Sequence, residues 1–169
     1  MSNLHIVFSH GKESGPWGSK ITSMANVARA LGLGVDSVDY HGIENPLERV
    51  DKLLEFGAHS TARLLLVGSS MGGYVSAAAA ARLNARALFL LAPAFYMPDF
   101  ESFTPQDVTC PTAIVHGWGD EVVPVQNSIR WAREHLATLY VLDSDHRLQD
   151  KIEPICELFK AFLQVHSAA

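Results

Sequence analysis

Ser70 stands at the centre of Val67-Gly68-Ser69-Ser70-Met71-Gly72-Gly73, a Gly-x-Ser-x-Gly segment between an apolar run and an alanine-rich run. A serine hydroxyl is a weak nucleophile until a base takes its proton and donors receive the charge developing on its target. The segment suits that chemistry: a sharp strand-to-helix turn holds Oγ out at the end of a sheet, and the helix's first amides are unpaired. A side chain at Gly68 or Gly72 would crowd the reversal, and Gly73 lets the helix start pack closely. In a helix each glycine costs about 1 kcal/mol relative to alanine, so two at the start need such a reason.

The base should be a histidine at the same sheet edge, and the sequence offers eight. His146, in Asp143-Ser144-Asp145-His146-Arg147, follows the last strand candidate and falls on a loop at the carboxyl end of the sheet. Asp120, in His116-Gly117-Trp118-Gly119-Asp120, follows the strand candidate before it and would orient the imidazole. Glu121, Asp143 and Asp145 are its rivals, and chain order favours Asp120. For the oxyanion, one donor is the Met71 amide, directly after the serine. The other comes from the loop His10-Gly11-Lys12, with the Lys12 amide favoured over those of Gly11 and Glu13. Phe95, Tyr96, Met97, Trp17 and Trp118 are candidate substrate contacts, unless the aromatics pack beneath their loops as a satellite core.

Six strands must carry these residues. Leu4 to Ser9, Val35 to Tyr40, Arg63 to Val67, Ala87 to Leu91, Thr112 to His116 and Leu139 to Leu142 are short, bounded apolar runs. Helical spacing lies between them: Ser19 to Leu31, a segment opening at Asn45-Pro46, the alanine-rich run from Tyr74, Val125 to His135, and Ile152 to Val165. From Ala94 to Thr104 the pattern breaks up among Pro93, Pro98 and Pro105, which reads as a loop with short helical turns. Strands alternating with helices imply a mostly parallel six-stranded sheet covered on both faces, a three-layer α/β/α sandwich. At 169 residues the chain reads as one domain spanning 1–169.

Composition narrows the function. A net charge of -5 without basic patches argues against nucleic-acid binding. No apolar run approaches the roughly 20 residues that cross a bilayer, so no membrane association is expected. The histidines are scattered and no metal motif appears, so neither a metal nor another cofactor is expected. Cys110 and Cys156 lack a paired spacing and read as thiols in a reducing compartment. The first residues lead straight into the first strand, which makes the cytoplasm the simplest location. No feature of the sequence points to an oligomeric state.

The His10-Gly11 loop, Gly68-Ser69-Ser70-Met71-Gly72, Asp120 after Gly117-Trp118-Gly119 and His146 after a strand resemble, in that order, the α/β-hydrolase superfamily. The resemblance spans nearly the whole chain and is to small, nearly capless bacterial members whose first two antiparallel strands are missing. It implies Ser70 as nucleophile, Asp120 as acid, His146 as base, and Met71 and Lys12 as oxyanion donors. Against larger relatives there is no cap domain between the fourth and fifth strands, and the helix there is reduced. The expected activity is hydrolysis of a small-molecule carboxylic ester or thioester, favouring short acyl groups. An amidase or peptidase with the same triad, and a non-catalytic binding protein on the same fold, are the rival readings.

Overall fold

A computed structural model describes residues 3–168; Met1, Ser2 and Ala169, the outermost residues of the 1–169 reading, lie outside the described residues. The strands are β1 (Leu4–Ser9), β2 (Gly34–Val38), β3 (Arg63–Ser69), β4 (Ala87–Leu91), β5 (Thr112–Gly117) and β6 (Thr138–Leu142). The helices are α1 (Ser19–Ala30), α2 (Pro46–Ala58), α3 (Met71–Ala80), α4 (Val125–His135) and α5 (Ile152–His166), with short 3-10 turns at Glu101–Phe103 and Gln149–Lys151. The sheet runs β2-β1-β3-β4-β5-β6, and every neighbouring pair is parallel. The sheet is therefore wholly parallel, where the sequence implied a mostly parallel one.

Alternation along the strands builds two cores. Ile6 and Phe8 of β1 and Leu65 and Val67 of β3 face α1 and α5, whereas Val7, Leu64 and Leu66 face α2 and α3. On the first face Phe159 of α5 packs against Phe8 and Phe89, with ring centroids 6.3 and 5.1 Å away. On the second, Trp131 of α4 stacks on Phe95 at 4.8 Å. Burying such rings is worth about 1.5–3 kcal/mol apiece, which is why strands apolar on both faces need helices on both.

Local signals set the helix ends. Asn45 caps α2, its side chain accepting from the Leu47 amide at 2.9 Å, and Pro46 takes the first helical position. α4 ends at Leu136, a non-glycine residue in the left-handed region with φ 53. The region after β4 holds only the turn Glu101–Phe103, so no cap and no full crossover helix separate β4 from β5.

Strand order fixes where a site can form. From β1 the chain moves outward to β2, then returns across β1 to β3 and continues the other way to β6. Connections leaving β1 and β3 therefore diverge to opposite faces and open a crevice at their carboxyl ends. In open parallel sheets ligands bind at such a switch point. Here it is walled by the loop after β1 and the turn after β3, the segments that hold Lys12 and Ser70.

Candidate active site

Ser70 occupies the turn between β3 and α3 with φ 54 and ψ -118. A residue with a Cβ holds such a conformation at a cost of about 1–3 kcal/mol, so its surroundings must impose it. They do so through the backbone. The Ser70 amide donates to the Leu91 carbonyl at 2.9 Å, and its own carbonyl accepts from the amides of Gly73, Tyr74 and Ala94. A Cβ built on Gly72 would lie 1.9 Å from the Ser9 carbonyl oxygen, and one on Gly68 would lie 2.1 Å from that of Gly72. Only glycine lets the turn sit this deeply against the end of β1.

Beside Ser70 lie the two distant partners. Its Oγ is 3.0 Å from Nε2 of His146, whose Nδ1 is 2.7 Å from Oδ2 of Asp120. The carboxylate only accepts, so Nδ1 carries the imidazole proton and Nε2 is left to accept from the serine hydroxyl. The Asp120 side chain is completely buried, yet both of its oxygens have partners. Oδ1 accepts from the amides of Val122 and Val123 at 2.8 Å each, and Oδ2 accepts from His146 and lies 3.1 Å from Nε2 of His116. These hydrogen bonds replace the water that burial removes.

β5 and β6 bring these loops together beyond their ends. The amides of Trp118 and Gly119 donate to the carbonyls of Leu142 and Ser144 at 2.9 and 3.0 Å. A Cβ on Gly117 would meet the Ser144 oxygen at 2.4 Å, so that glycine permits the approach. The rival Asp145 serves the loop instead, where its Oδ1 accepts from the amides of Arg147 and Leu148 and holds the segment around His146 in a turn. Glu121 and Asp143 point to solvent.

Gly11 lies against the elbow, where an added Cβ would sit 3.4 Å from Cβ of Ser70. Among the described residues, neither the Lys12 amide nor the Met71 amide donates to a protein acceptor. Behind the loop is a network in which His10, whose place after the first strand suits loop positioning better than catalysis, is joined by Arg49, which the sequence did not foretell. His10 is buried and accepts from the Tyr40 amide at Nε2, 2.9 Å away, so its proton is on Nδ1, which donates to the Gly11 carbonyl at 2.7 Å. Burial holds its pKa below the usual histidine value and keeps it neutral. Arg49 of α2, 3% exposed, donates from Nη1 to the carbonyls of His10 and Gly11 and from Nε to that of Ile43.

A cleft of about 920 Å³ opens over Ser70. Of the aromatic and methionine contacts read from the sequence, Met97 alone lines it. Phe95 is buried against Trp131 as part of the main core on that face of the sheet, not as a separate satellite beneath the loop. Tyr96 turns toward α4 and donates to Glu134 at 2.8 Å, with Arg130 over its ring. Trp17 and Trp118 are outside the cleft; Arg29 covers the Trp17 ring and Trp118 is 61% exposed. The cleft is instead walled by Tyr74, Phe100 and Val122 besides Met97. Tyr74 had a signal in the sequence, since it stands one helical turn from Ser70 and shares its face.

Sheet order, glycine-walled serine turn and absent cap together define an α/β-hydrolase fold of the small, capless kind. The chain belongs to the α/β-hydrolase superfamily and, within it, to the Uncharacterised protein family (UPF0227), whose model matches residues 5–106. It is similar to a protein of the alpha/beta hydrolase superfamily from Xanthomonas campestris pv. campestris, at 32% identity and a TM-score of 0.90 over 98% of this chain and 99% of that one. A second protein of that species, an a/b serine hydrolase without lid, aligns at 25% identity and a TM-score of 0.77, over 97% and 82% of the two chains. Est1E from Butyrivibrio proteoclasticus shares the fold at 18% identity and a TM-score of 0.83, over 98% and 88%. No curated protein matches. No helix of the described residues is long and apolar enough to cross a membrane.

Proposed function

We propose that this protein is a serine hydrolase cleaving a carboxylic ester or thioester of a small acyl group, with Ser70, His146 and Asp120 as its triad. The reading is carried by the unbroken chain of contacts from Ser70 Oγ through the imidazole to the buried carboxylate, at 3.0 and 2.7 Å. Ser70 Oγ attacks the acyl carbon while its proton passes to Nε2 of His146. Charge gathers on the former carbonyl oxygen, where the Met71 and Lys12 amides wait without other partners. As the intermediate collapses, the bond to the departing oxygen or sulfur breaks and His146 returns the proton to that atom. Water, deprotonated by the same imidazole, then releases the acid and restores Ser70.

Asp120 fixes the imidazole's tautomer and stabilises the imidazolium without taking a proton. Without a cap over the cleft, selectivity must come from its own walls. A fluorophosphonate probe tests the reading: wild-type protein labels and hydrolyses p-nitrophenyl acetate, and Ser70→Ala does neither. Wild-type protein that neither labels nor turns over belongs to the non-catalytic alternative. Esters, thioesters and anilides of one acyl group then separate esterase from amidase.

A further inference from the structure

The chain carries 13 basic and 18 acidic residues, yet its cleft reverses that balance. Lys12, Lys20 and Arg147 line it against Glu13 and Glu44. Among the described residues none of those three cations forms an ion pair. Lys20, half-buried in the first turn of α1, is tied to the catalytic edge because its Nζ donates to the Arg147 carbonyl at 2.5 Å. Burial first and the neighbouring Arg147 second push its pKa down, and Asp145 offsets the shift only in part. Asp145, the nearest acid, has its Oδ1 engaged by backbone amides.

Apolar lining comes from Tyr74 and Met97, with Phe100, and from Val122 beside Asp120. His146 decides which part of a substrate meets which wall. Its Nε2 must reach the departing atom, so the leaving group lies on the imidazole's side, where Arg147 is the next residue. The acyl chain then lies away from the imidazole, toward Tyr74 and Met97 among the lining residues.

We infer that the departing alcohol or thiol carries an anionic oxygen group, a carboxylate or a phosphate, held by Lys20 and Arg147 with Lys12 beside them. This rests on the serine-hydrolase reading and adds the substrate class to it. The bonds exchanged are those already given: Ser70 Oγ to acyl carbon forms, acyl carbon to leaving atom breaks, and the serine proton ends on the leaving atom. The anion takes no part in the exchange. It is bound by charge-assisted hydrogen bonds, and its departure carries the product out of the cleft.

Butyryl esters of glycolamide, glycolic acid and 2-hydroxyethyl phosphate share an acyl group and differ in the leaving group's charge. At low salt, kcat/KM for one or both anionic esters is expected to exceed that of the glycolamide ester by about tenfold, the effect of roughly one charge-assisted contact. The charged ester that gains more identifies the group. The advantage shrinks in 0.5 M salt, about five times the ionic strength at which the Debye length is ~10 Å, and falls below about twofold in Lys20→Met/Arg147→Met. Equal or better turnover of the glycolamide ester overturns the inference alone. So does an advantage that survives the double substitution. Absence of both fluorophosphonate labelling and turnover of all the esters overturns the hydrolase reading with it.

Discussion

Arg49 reaches from α2 to the carbonyl oxygen of Gly11, 3.3 Å from its Nη1, as a buried cation with no carboxylate within ion-pairing distance among the described residues. In a trans peptide the carbonyl and the next N–H point in opposite directions, so a Gly11 carbonyl held by Arg49 and His10 turns the Lys12 N–H away from them. The guanidinium thus aims the proposed oxyanion donor without touching substrate. Arg49→Met should lower kcat on p-nitrophenyl acetate by about 10- to 100-fold while KM stays within about threefold, because the donor matters most in the transition state. Arg49→Lys, which keeps the charge but loses the fork, should recover only part of the rate. A change confined to KM would overturn this role, and circular dichroism separates it from unfolding.

Asp120 receives the imidazole from one side and His116 from the other. His116 takes a proton-accepting role at Nδ1 toward Ser128, 2.8 Å away, which leaves its Nε2–H for Val123 O and Asp120. Asp120→Asn should lower kcat by about 10⁴-fold, since an amide offers His146 a donor where an acceptor is needed. His116→Gln, acting only through Asp120, should lower it by about tenfold. Single-turnover acylation rates check both, and an Asn variant within tenfold of wild type would remove Asp120 from the proposed triad.

Acid should weaken the fold before it reaches the carboxylates. Burial holds the pKa of His10, His116 and His166 below the ordinary histidine value. The unfolded chain then binds more protons than the native one once pH falls below about 6.5. Stability is therefore fully present above that pH and is lost as pH drops toward the folded pKa values. The lowered carboxyls Asp39, Glu134 and Asp150 act in a more acid window. Thermal unfolding midpoints should fall between pH 7.5 and 5, and His116→Gln should flatten that fall; a midpoint unchanged over the range would contradict it.

Much of this was open to a reader of the sequence, for a physical reason. Strands buried on both faces spell themselves as unbroken apolar runs, so β1 and β4 have the bounds their sequences imply, and helical spacing does the same for α4. Ser70, Asp120 and His146 were legible as a set because each follows a strand, and a parallel sheet gathers all such loops at one edge. The cleft walls were not. Phe95 and Tyr96 sit beside Met97, but Tyr96 takes φ 54, and this local reversal throws neighbouring side chains to different sides of the loop. His10 could be read as a loop-positioning residue from its place after β1, but Arg49 was hidden for another reason: a buried polar residue that braces a backbone has no periodicity, and its partners are carbonyls, which sequence does not distinguish.

Gly72 offers a test that separates steric need from helix propensity. Alanine is the better helix former by about 1 kcal/mol, so propensity alone makes Gly72→Ala stabilising. Its Cβ, however, would be 1.9 Å from the Ser9 oxygen and 2.7 Å from that of His10, both backbone atoms at the end of a central strand. No rotamer change relieves such a contact. Either α3 is pushed off β1 or the elbow unwinds, and both displace Ser70 from His146. Gly72→Ala should therefore lose about 3 kcal/mol or more of stability, or fail to fold. Gly18→Ala is the control: at the N-cap of α1 its φ is -61 and its nearest neighbour is 4.0 Å away, so it should lose no more than about 1 kcal/mol, the ordinary cost of alanine at a cap. Urea unfolding of the two variants decides it, and a Gly72→Ala protein as stable as the control would mean that β1 and α3 are not in contact at the elbow.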